Sequence, residues 1–214
     1  MAIGETALNS TVREEARQLM ARYPKPRSAL LPMLHLVQSV EGYVTPAGIG
    51  MCAELLGLTK AEVGAVATFY TMYKRRPVGD YHVGVCTNTL CAVMGGDLIY
   101  SELKEHLGIS QQNGVSDDGK ISLEHIECNA ACDYAPVVMV NWEFFDNQTP
   151  LSVKQLVDDL RDGKSVRPTR GAETVVTWKE AERVLAGFYD GRADEGDAAG
   201  PATLEGLKLA ETQR

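Results

Sequence analysis

The sequence predicts an α/β protein: a bundle of four short helices, then a small open sheet flanked by helices, then an extended C-terminal tail. Two observations lead to this prediction. Apolar residues recur at helical spacing in residues 1–77, whereas short β-rich runs alternate with helical patterns in residues 78–165. Charge changes at the same boundaries, since segments 1–77, 78–165 and 166–214 carry net charges of +3, −9 and −2. We therefore expect these three segments to be the domains and the tail.

Capping residues mark the helices of the first segment. Thr11 with Glu14 predicts a capping box at the first helix, and Thr59 with Glu62 predicts one at the fourth. Connections this short favour antiparallel neighbours, as in a helical bundle. The two middle helices are expected from near Ser28 to Gly42 and from Thr45-Pro46 to Gly57.

Two features of this bundle have structural rather than functional interpretations. Gly48-x-Gly50-x-x-Ala53 matches a loose dinucleotide fingerprint, but a helix has already begun at Thr45-Pro46 and no strand precedes it. We therefore expect no nucleotide site. Cys52 lies on an apolar helical face, which predicts a buried, inert thiol.

The second segment is predicted to alternate strands and helices in the order β-α-β-β-β-α. Each of its two cysteine pairs falls in the loop after a strand, where α/β sheets place their ligands. The predicted elements are strand Tyr81–Val85, a helix from Gly95-Gly96 to Gly108, strand Ile121–Glu127, strands Pro136–Asn141 and Glu143–Asp146, and a helix after Thr149-Pro150.

Four cysteines carry the candidate chemistry, in the pattern Cys86-x4-Cys91 and Cys128-x3-Cys132. Soft thiolates select iron–sulfur clusters, zinc or copper(I). Structural zinc usually has shorter gaps in both pairs, so the spacing favours one 2Fe–2S cluster, with zinc and structural thiols as alternatives. Small neighbours such as Asn88, Asn129 and Ala130 would let backbone N–H groups approach sulfur. A redox-active Cys-x-x-Cys motif is absent from the sequence.

Composition limits the partners and the location. The chain has 21 basic and 29 acidic residues, a net charge of −8, and no apolar run near the roughly 20 residues of a spanning helix. These values argue against nucleic-acid binding, anionic lipid and membrane insertion. The first residues show no signal or transit pattern, so we expect a reducing compartment without disulfides. Negative charge around the cysteines predicts a low-potential, one-electron carrier.

The segments ALLPMLHLVQ, GYVTP, AEVGAVATFYTMYKRRPVG, CTNTLCAVMGGD and ECNAACDYAPVVMVN together resemble a known family. It is the peripheral-arm E subunit of bacterial NADH–quinone oxidoreductase (respiratory complex I), and the resemblance covers approximately residues 11–165. It implies a four-helix part before a thioredoxin-like domain that holds one 2Fe–2S cluster. Carried over residue by residue, the ligands are Cys86, Cys91, Cys128 and Cys132.

The resemblance also implies partners and a location. They are the NADH-oxidising F subunit, whose FMN would exchange one electron with the cluster, and the iron–sulfur G subunit. The complex would place the chain peripherally on the cytoplasmic side of the bacterial inner membrane. The chain alone would be an electron carrier without its own nucleotide site, within an oxidoreductase.

The sequence departs from the family pattern at two places. Ala130 stands where family members usually have glycine, which would cost about 1 kcal/mol if the position needs a positive φ. The tail, residues 166–214, is longer than the family core and is expected to be partly flexible, with one short helix after Thr177. As a hypothesis, Trp178, Phe188 and Tyr189 would anchor it on a partner subunit.

Three other functions remain open at this point. The same module could serve an NAD-linked hydrogenase or formate dehydrogenase, or the chain could be a stand-alone ferredoxin or a zinc-stabilised interaction protein. The histidines at 35, 82, 106 and 125 show no metal-binding spacing or nucleophile pairing. We expect His82 and His125, which lie beside the cysteine strands, to be solvated or hydrogen-bonded.

Overall fold

A computed structural model describes residues 7–213, and the chain divides into two compact units. The first unit takes the chain up to Val78 together with Trp178–Asp190, and the second takes Gly79–Thr177 and the chain from Gly191 onward. Residues 166–214, expected as one extension, are therefore divided between the two units.

The described residues form nine α-helices and five strands, with short 3-10 helices at Pro26–Ala29 and Cys132–Tyr134. The α-helices are α1 Ser10–Ala21, α2 Leu30–Glu41, α3 Pro46–Leu56, α4 Lys60–Phe69, α5 Thr89–Val93, α6 Gly96–His106, α7 Pro150–Arg161, α8 Trp178–Leu185 and α9 Pro201–Thr212. The strands are β1 Tyr81–Cys86, β2 Gly114–Val115, β3 Ile121–Ile126, β4 Val138–Val140 and β5 Glu143–Phe145.

The helix caps confirm most of the predicted limits of α1 to α4. The Thr45 hydroxyl accepts the Gly48 N–H at 2.9 Å, and both halves of the Thr59 capping box are present. The capping box expected at Thr11 is wrong. α1 begins one residue earlier than Thr11, and the Asn9 side chain caps it by accepting the Val12 N–H at 3.2 Å. Asparagine is among the strongest N-cap residues, and here it takes the position outside the helix.

The glycines of the dinucleotide-like pattern lie within α3, and one of them permits close helix packing. A Cβ added to Gly48 would stand 2.3 Å from a methyl group of Val37 on α2. Both α2 and α3 contribute to one buried core, in which Met33, Leu34 and Cys52 are fully buried. Close packing of α3 against α2 therefore explains why residue 48 is a glycine. Cys52 is buried in the same core.

The helix α8 completes the core of the first unit. The sequence predicted the helix but not its packing in this core. Trp178 is 1% exposed and donates its indole N–H to the Gly42 carbonyl at 2.8 Å. Glu182 is fully buried, and one of its oxygens lies 2.6 Å from both His35 Nδ1 and Gln38 Nε2 on α2. This burial contradicts the hypothesis that Trp178 anchors the tail on another subunit, because the ring is already enclosed by its own chain.

The second unit is built on a five-stranded sheet in the order β2-β3-β1-β4-β5. The central strand β1 runs parallel to β3 and antiparallel to β4. The helices α6 and α7 pack against each other and bury Ile99, Leu103, Val153 and Val157 in the same core as the strands. This mixed helix and sheet arrangement agrees with the α/β prediction.

Two further stretches of the tail belong to the second unit. The Gly171 N–H donates to the Asp197 carbonyl at 3.0 Å, and Arg192 donates to the Thr174 carbonyl at 2.8 Å. The helix α9 follows, and all its described side chains are exposed in this chain. Within the described part of the chain, none of the helices has the length and apolarity needed to cross a membrane.

Candidate iron–sulfur site

The parallel strands β1 and β3 bring the two cysteine loops to one edge of the sheet. Cys86 is the last residue of β1 and stands opposite Ile126, the last residue of β3. Cys128 follows Ile126 by two residues, so both cysteine pairs start where a strand ends. This placement agrees with the expectation that each pair lies at the carboxyl end of a strand.

The first pair is buried: Cys86 ends β1, and Cys91 lies within the short helix α5. The loop is compact because Gly96 has no side chain. A Cβ there would stand 2.4 Å from the Cys86 carbonyl oxygen. The Asn88 amide donates to the Ile126 carbonyl at 3.0 Å and lies 3.9 Å from the Cys86 sulfur. Asn88 therefore ties the first cysteine loop to the strand that leads into the second.

The second pair, Cys128 and Cys132, is exposed, and its sulfur atoms lie 3.9 Å apart. Two thiolates on one tetrahedral metal at about 2.3 Å stand about 3.8 Å from each other. The observed separation thus suits a pair that shares one metal ion. The backbone N–H of Ala130 points to the Cys128 sulfur at 3.4 Å, as expected for small residues in this loop.

Ala130 has φ +54°, in the left-handed region that favours glycine. The position does require a positive φ, which is the condition under which alanine was expected to be costly. The cost is about 1 kcal/mol. The loop retains this strained conformation, and with it the contact between the Ala130 N–H and the Cys128 sulfur.

The pKa values of Cys91 and Cys132 are both raised, and neighbouring thiols contribute to each rise. Burial raises the pKa of Cys91 to about 11, and the neighbouring Cys86 and Cys132 thiols contribute to the rise. The pKa of Cys132 is raised by its hydrogen bond to Cys128 and by the charge of Cys128, with smaller contributions from burial, Cys86 and Asp133. Members of the two pairs therefore influence each other across the loops. Without metal, Cys91 and Cys132 hold their protons at neutral pH, and metal binding would release them.

The donor set of the two loops fits a 2Fe–2S cluster. Two thiol pairs can supply two ligands to each of two irons, as such clusters require. The side-chain nitrogen of Asn129, beside Cys128, is buried without a hydrogen-bond partner in the protein, so it is a donor that a bound group could engage. Across residues 7–213, no three or more His, Cys, Asp or Glu side chains are grouped as for a single metal ion. The fit to a binuclear cluster rests on the two thiol pairs alone.

Residues away from the loops occupy the roles expected of them. Cys52 is fully buried in the first unit, and burial raises the pKa of its thiol to about 12. His82 Nδ1 lies 3.0 Å from the Ser122 hydroxyl, and His125 Nε2 lies 3.0 Å from the Gln112 amide nitrogen. These histidines are hydrogen-bonded, as predicted.

Sequence reasoning missed the residues that surround the second cysteine loop. Tyr134 packs against the buried cluster that contains Cys86, Cys91, Ala131 and Val137. Arg170 lies over the Tyr134 ring, at 5.3 Å from guanidinium carbon to ring centroid. Tyr134 lies within the segment ECNAACDYAP, two residues after Cys132, and this closeness to a cysteine was a signal that the sequence offered. Arg170 lies 36 residues farther along the chain in a polar stretch, where no local pattern marks it.

Comparison with known proteins identifies the family. The family model of the thioredoxin-like [2Fe-2S] ferredoxins matches residues 16–161. The E subunit of NADH-quinone oxidoreductase in Mycobacterium bovis is 61% identical over 197 residues, which cover 92% of this chain and 77% of that protein. The protein of the same name in Rickettsia bellii is 40% identical over 150 residues, covering 69% of this chain and 89% of that one.

A solved structure shares the fold. A chain in the crystal structure of an NAD+-reducing [NiFe]-hydrogenase aligns with a TM-score of 0.56 at 18% identity, covering 63% of this chain and 23% of that one. At this identity the likeness concerns the fold alone. The family model and the relatives carry the assignment: this chain belongs to the thioredoxin-like [2Fe-2S] ferredoxin family and, within it, to the E subunits of NADH–quinone oxidoreductase.

Proposed function

We propose that the chain is the electron-transfer E subunit of the NADH-oxidising module of a respiratory complex I. The observation that carries the proposal is the placement of two cysteine pairs after the adjacent ends of two parallel strands, in a chain 61% identical to a protein of that name. When bound, a 2Fe–2S cluster accepts and returns one electron at a time.

We propose Cys86, Cys91, Cys128 and Cys132 as the four ligands. Zn–S and Fe–S bonds have similar lengths, so the 3.9 Å separation of the Cys128 and Cys132 sulfurs fits either metal. Family membership favours iron over zinc. The Ala130 N–H and the Asn129 amide supply hydrogen-bond donors near the second pair, and such donors stabilise negative charge on sulfur.

The finer organisation of the chain is also part of this proposal. Residues 78–165 would be the thioredoxin-like domain that carries the cluster, and residues 1–77 a four-helix bundle whose role is docking. Residues 166–214 would form a C-terminal extension that completes both. The net charge of −9 in residues 78–165 disfavours an added electron, which supports a low reduction potential.

We propose an FMN- and NADH-binding F subunit and an iron–sulfur G subunit as partners, in a complex on the cytoplasmic side of the bacterial inner membrane. The flavin would lie in the first of these partners, close enough to exchange single electrons with the cysteine loops of this chain. The support is the family, whose relatives in Mycobacterium bovis and Rickettsia bellii are named as subunits of NADH-quinone oxidoreductase.

Metal and sulfide analysis, with EPR of the reduced protein, tests the ligand assignment. We expect two irons and two labile sulfides per chain and a paramagnetic signal on reduction. Cys91→Ser should abolish or reshape the signal, whereas Cys52→Ser, a matched change at the buried thiol, should leave it unchanged. Zinc without labile sulfide would overturn the proposal.

Purification of the complex from its native host with an affinity tag on the full chain tests the host complex. We expect FMN and NADH-dependent reduction of a quinone to accompany the tagged chain. A nickel-containing partner with hydrogen-dependent NAD+ reduction would assign the module to a hydrogenase instead.

A further inference from the structure

The C-terminal segment reaches the second cysteine loop at Tyr134. The aromatic ring follows Cys132 by two residues and packs against the buried cluster of Cys86, Cys91, Ala131 and Val137. On its other side, the Tyr134 hydroxyl accepts the backbone N–H of Ala202 at 3.0 Å. The same ring therefore contacts the cysteine core and a residue 68 positions farther along the chain.

The approach of the segment to Tyr134 depends on Gly200. A Cβ added there would stand 2.2 Å from the Tyr134 hydroxyl oxygen and 2.7 Å from the ring carbon that bears it. The oxygen and the carbon are both fixed to a ring that packs against the buried cluster around Cys86 and Cys91. Neither atom can therefore move away freely. A glycine at this position is what allows the backbone to lie against the tyrosine.

Arg170 holds the ring from a second direction. Its guanidinium carbon lies 4.0 Å from the Phe144 ring centroid and 5.3 Å from that of Tyr134, within cation–π range of both. Asp146 pairs with the guanidinium at 3.1 Å and 3.2 Å, and only 15% of the Arg170 side chain and 8% of the Asp146 side chain are exposed. Arg170 is thus fixed, and its position over the two rings is defined.

Backbone contacts connect the two parts of the segment. The Gly171 N–H donates to the Asp197 carbonyl at 3.0 Å, and the Glu173 N–H donates to the Glu195 carboxylate at 3.1 Å. The stretch that carries Arg170 and the stretch that leads to Gly200 therefore form one layer over Tyr134.

We infer that this layer is a clamp on the second ligand loop and that Tyr134 is a positioning residue for Cys132. The inference rests on the proposed function, because it assumes that Cys132 binds a cluster. The short 3-10 helix Cys132–Tyr134 transmits the position of the ring to the cysteine over two residues. With the ring held, the Cys132 sulfur keeps its place 3.9 Å from Cys128; with the ring released, the loop gains alternative positions.

Three variants of the full chain, reconstituted with iron and sulfide, test the clamp. Tyr134→Phe removes only the hydroxyl, and Gly200→Ala adds the Cβ that cannot fit. Tyr100→Phe is the matched control, because its hydroxyl also accepts a backbone N–H, from Asn113 at 3.3 Å, in the same unit. The measurements are the EPR g values, the midpoint potential and the rate at which a ferrous chelator bleaches the cluster.

We expect Tyr134→Phe and Gly200→Ala to keep two irons per chain but to bleach at least threefold faster, with a changed EPR line shape and midpoint potential. Tyr100→Phe should match the unsubstituted chain in all three measurements. A role confined to folding would leave the EPR line shape and the potential unmoved, and that result would overturn the inference.

Other outcomes are equally decisive. If Tyr134→Phe changes these properties and Gly200→Ala does not, the C-terminal segment is not the clamp. If Tyr100→Phe changes them as well, the effect is general and the inference fails. If the unsubstituted chain binds no iron and sulfide, the proposed function fails first, which separates the two failures.

Discussion

Cysteine has opposite surroundings in the two units of this protein. In the first unit, Cys52 is fully buried among apolar side chains, and burial alone raises the pKa of its thiol to about 12. In the second unit, four cysteines lie in two loops at the end of parallel strands, and other thiols contribute to the raised pKa of Cys91 and Cys132. The comparison teaches that a thiol's neighbours, rather than its pKa alone, distinguish a structural cysteine from a candidate ligand.

Buried polar groups differ between the units in the same way. In the first unit, Glu182 lies between His35 and Gln38, and all three find partners within the protein. In the second, the Asn129 side-chain nitrogen is buried without one. A buried donor without a partner costs about 1–3 kcal/mol, which a bound acceptor would remove. The first arrangement is complete as it stands, whereas in the second a bound group would supply the missing acceptor.

Alkylation should give the largest difference between the two kinds of cysteine. In the metal-free protein at pH 8, iodoacetamide should modify the exposed Cys128 and Cys132 at least about 100-fold faster than Cys52, because the reagent requires an accessible thiolate. Peptide mapping by mass spectrometry measures the rates. Reconstitution with iron and sulfide should protect the loop cysteines and leave Cys52 unchanged. Equal rates at Cys52 and Cys128 would remove the distinction.

Loss of the buried carboxylate should destabilise the first unit strongly. Glu182→Ala leaves the His35 and Gln38 nitrogens without their shared acceptor, which should lower the free energy of unfolding by about 3 kcal/mol. Urea unfolding followed by Trp178 fluorescence, with Trp142→Phe as background, reports on this unit because the chain has two tryptophans.

Glu14→Ala is the control for this experiment. Glu14 forms an exposed pair with Arg17 at 3.2 Å on the same unit, and such pairs contribute less than about 1 kcal/mol. Iron and sulfide content should stay at the level of the unsubstituted chain in both variants. An equal loss of stability in the two would show that the buried network has no special role.

Exchange of alanine for glycine should have the smallest effect, and its sign should depend on the backbone. Ala130→Gly should stabilise the protein by up to about 1 kcal/mol, because glycine adopts φ +54° without strain. Ala131→Gly is the matched control, since Ala131 has φ −104° and a buried methyl group. It should destabilise by about 1 kcal/mol. Guanidinium unfolding followed by circular dichroism measures both, and the same sign for both would contradict the assignment of strain to Ala130.

Local patterns predicted the elements that local interactions determine. The Thr59 capping box, the Thr45-Pro46 start and the Gly42 end needed only neighbouring residues, and the structure confirms all three. The β-rich runs likewise predicted that each cysteine pair follows a strand, and the structure confirms this. The short helix α5 and the two-residue strand β2 were missed because segments of this length carry no periodicity.

Contacts between distant residues could not be read from the sequence. Glu182 meets His35 across 147 positions, so nothing near either residue indicates that the buried carboxylate has a partner. The same holds for Arg170 over Tyr134, and for the clamp as a whole. The amphipathic pattern of α8 predicted a helix correctly but could not show which core would receive it.

The return of the chain to the first unit at α8 has a consequence for synthesis. Residues up to Val78 leave the ribosome early, but the helix that fills their core is translated about a hundred residues later. Until then His35 and Gln38 lack the Glu182 carboxylate, their shared partner in the folded chain. The first unit therefore cannot reach its final packing until residues 178–190, which belong to it, have been translated.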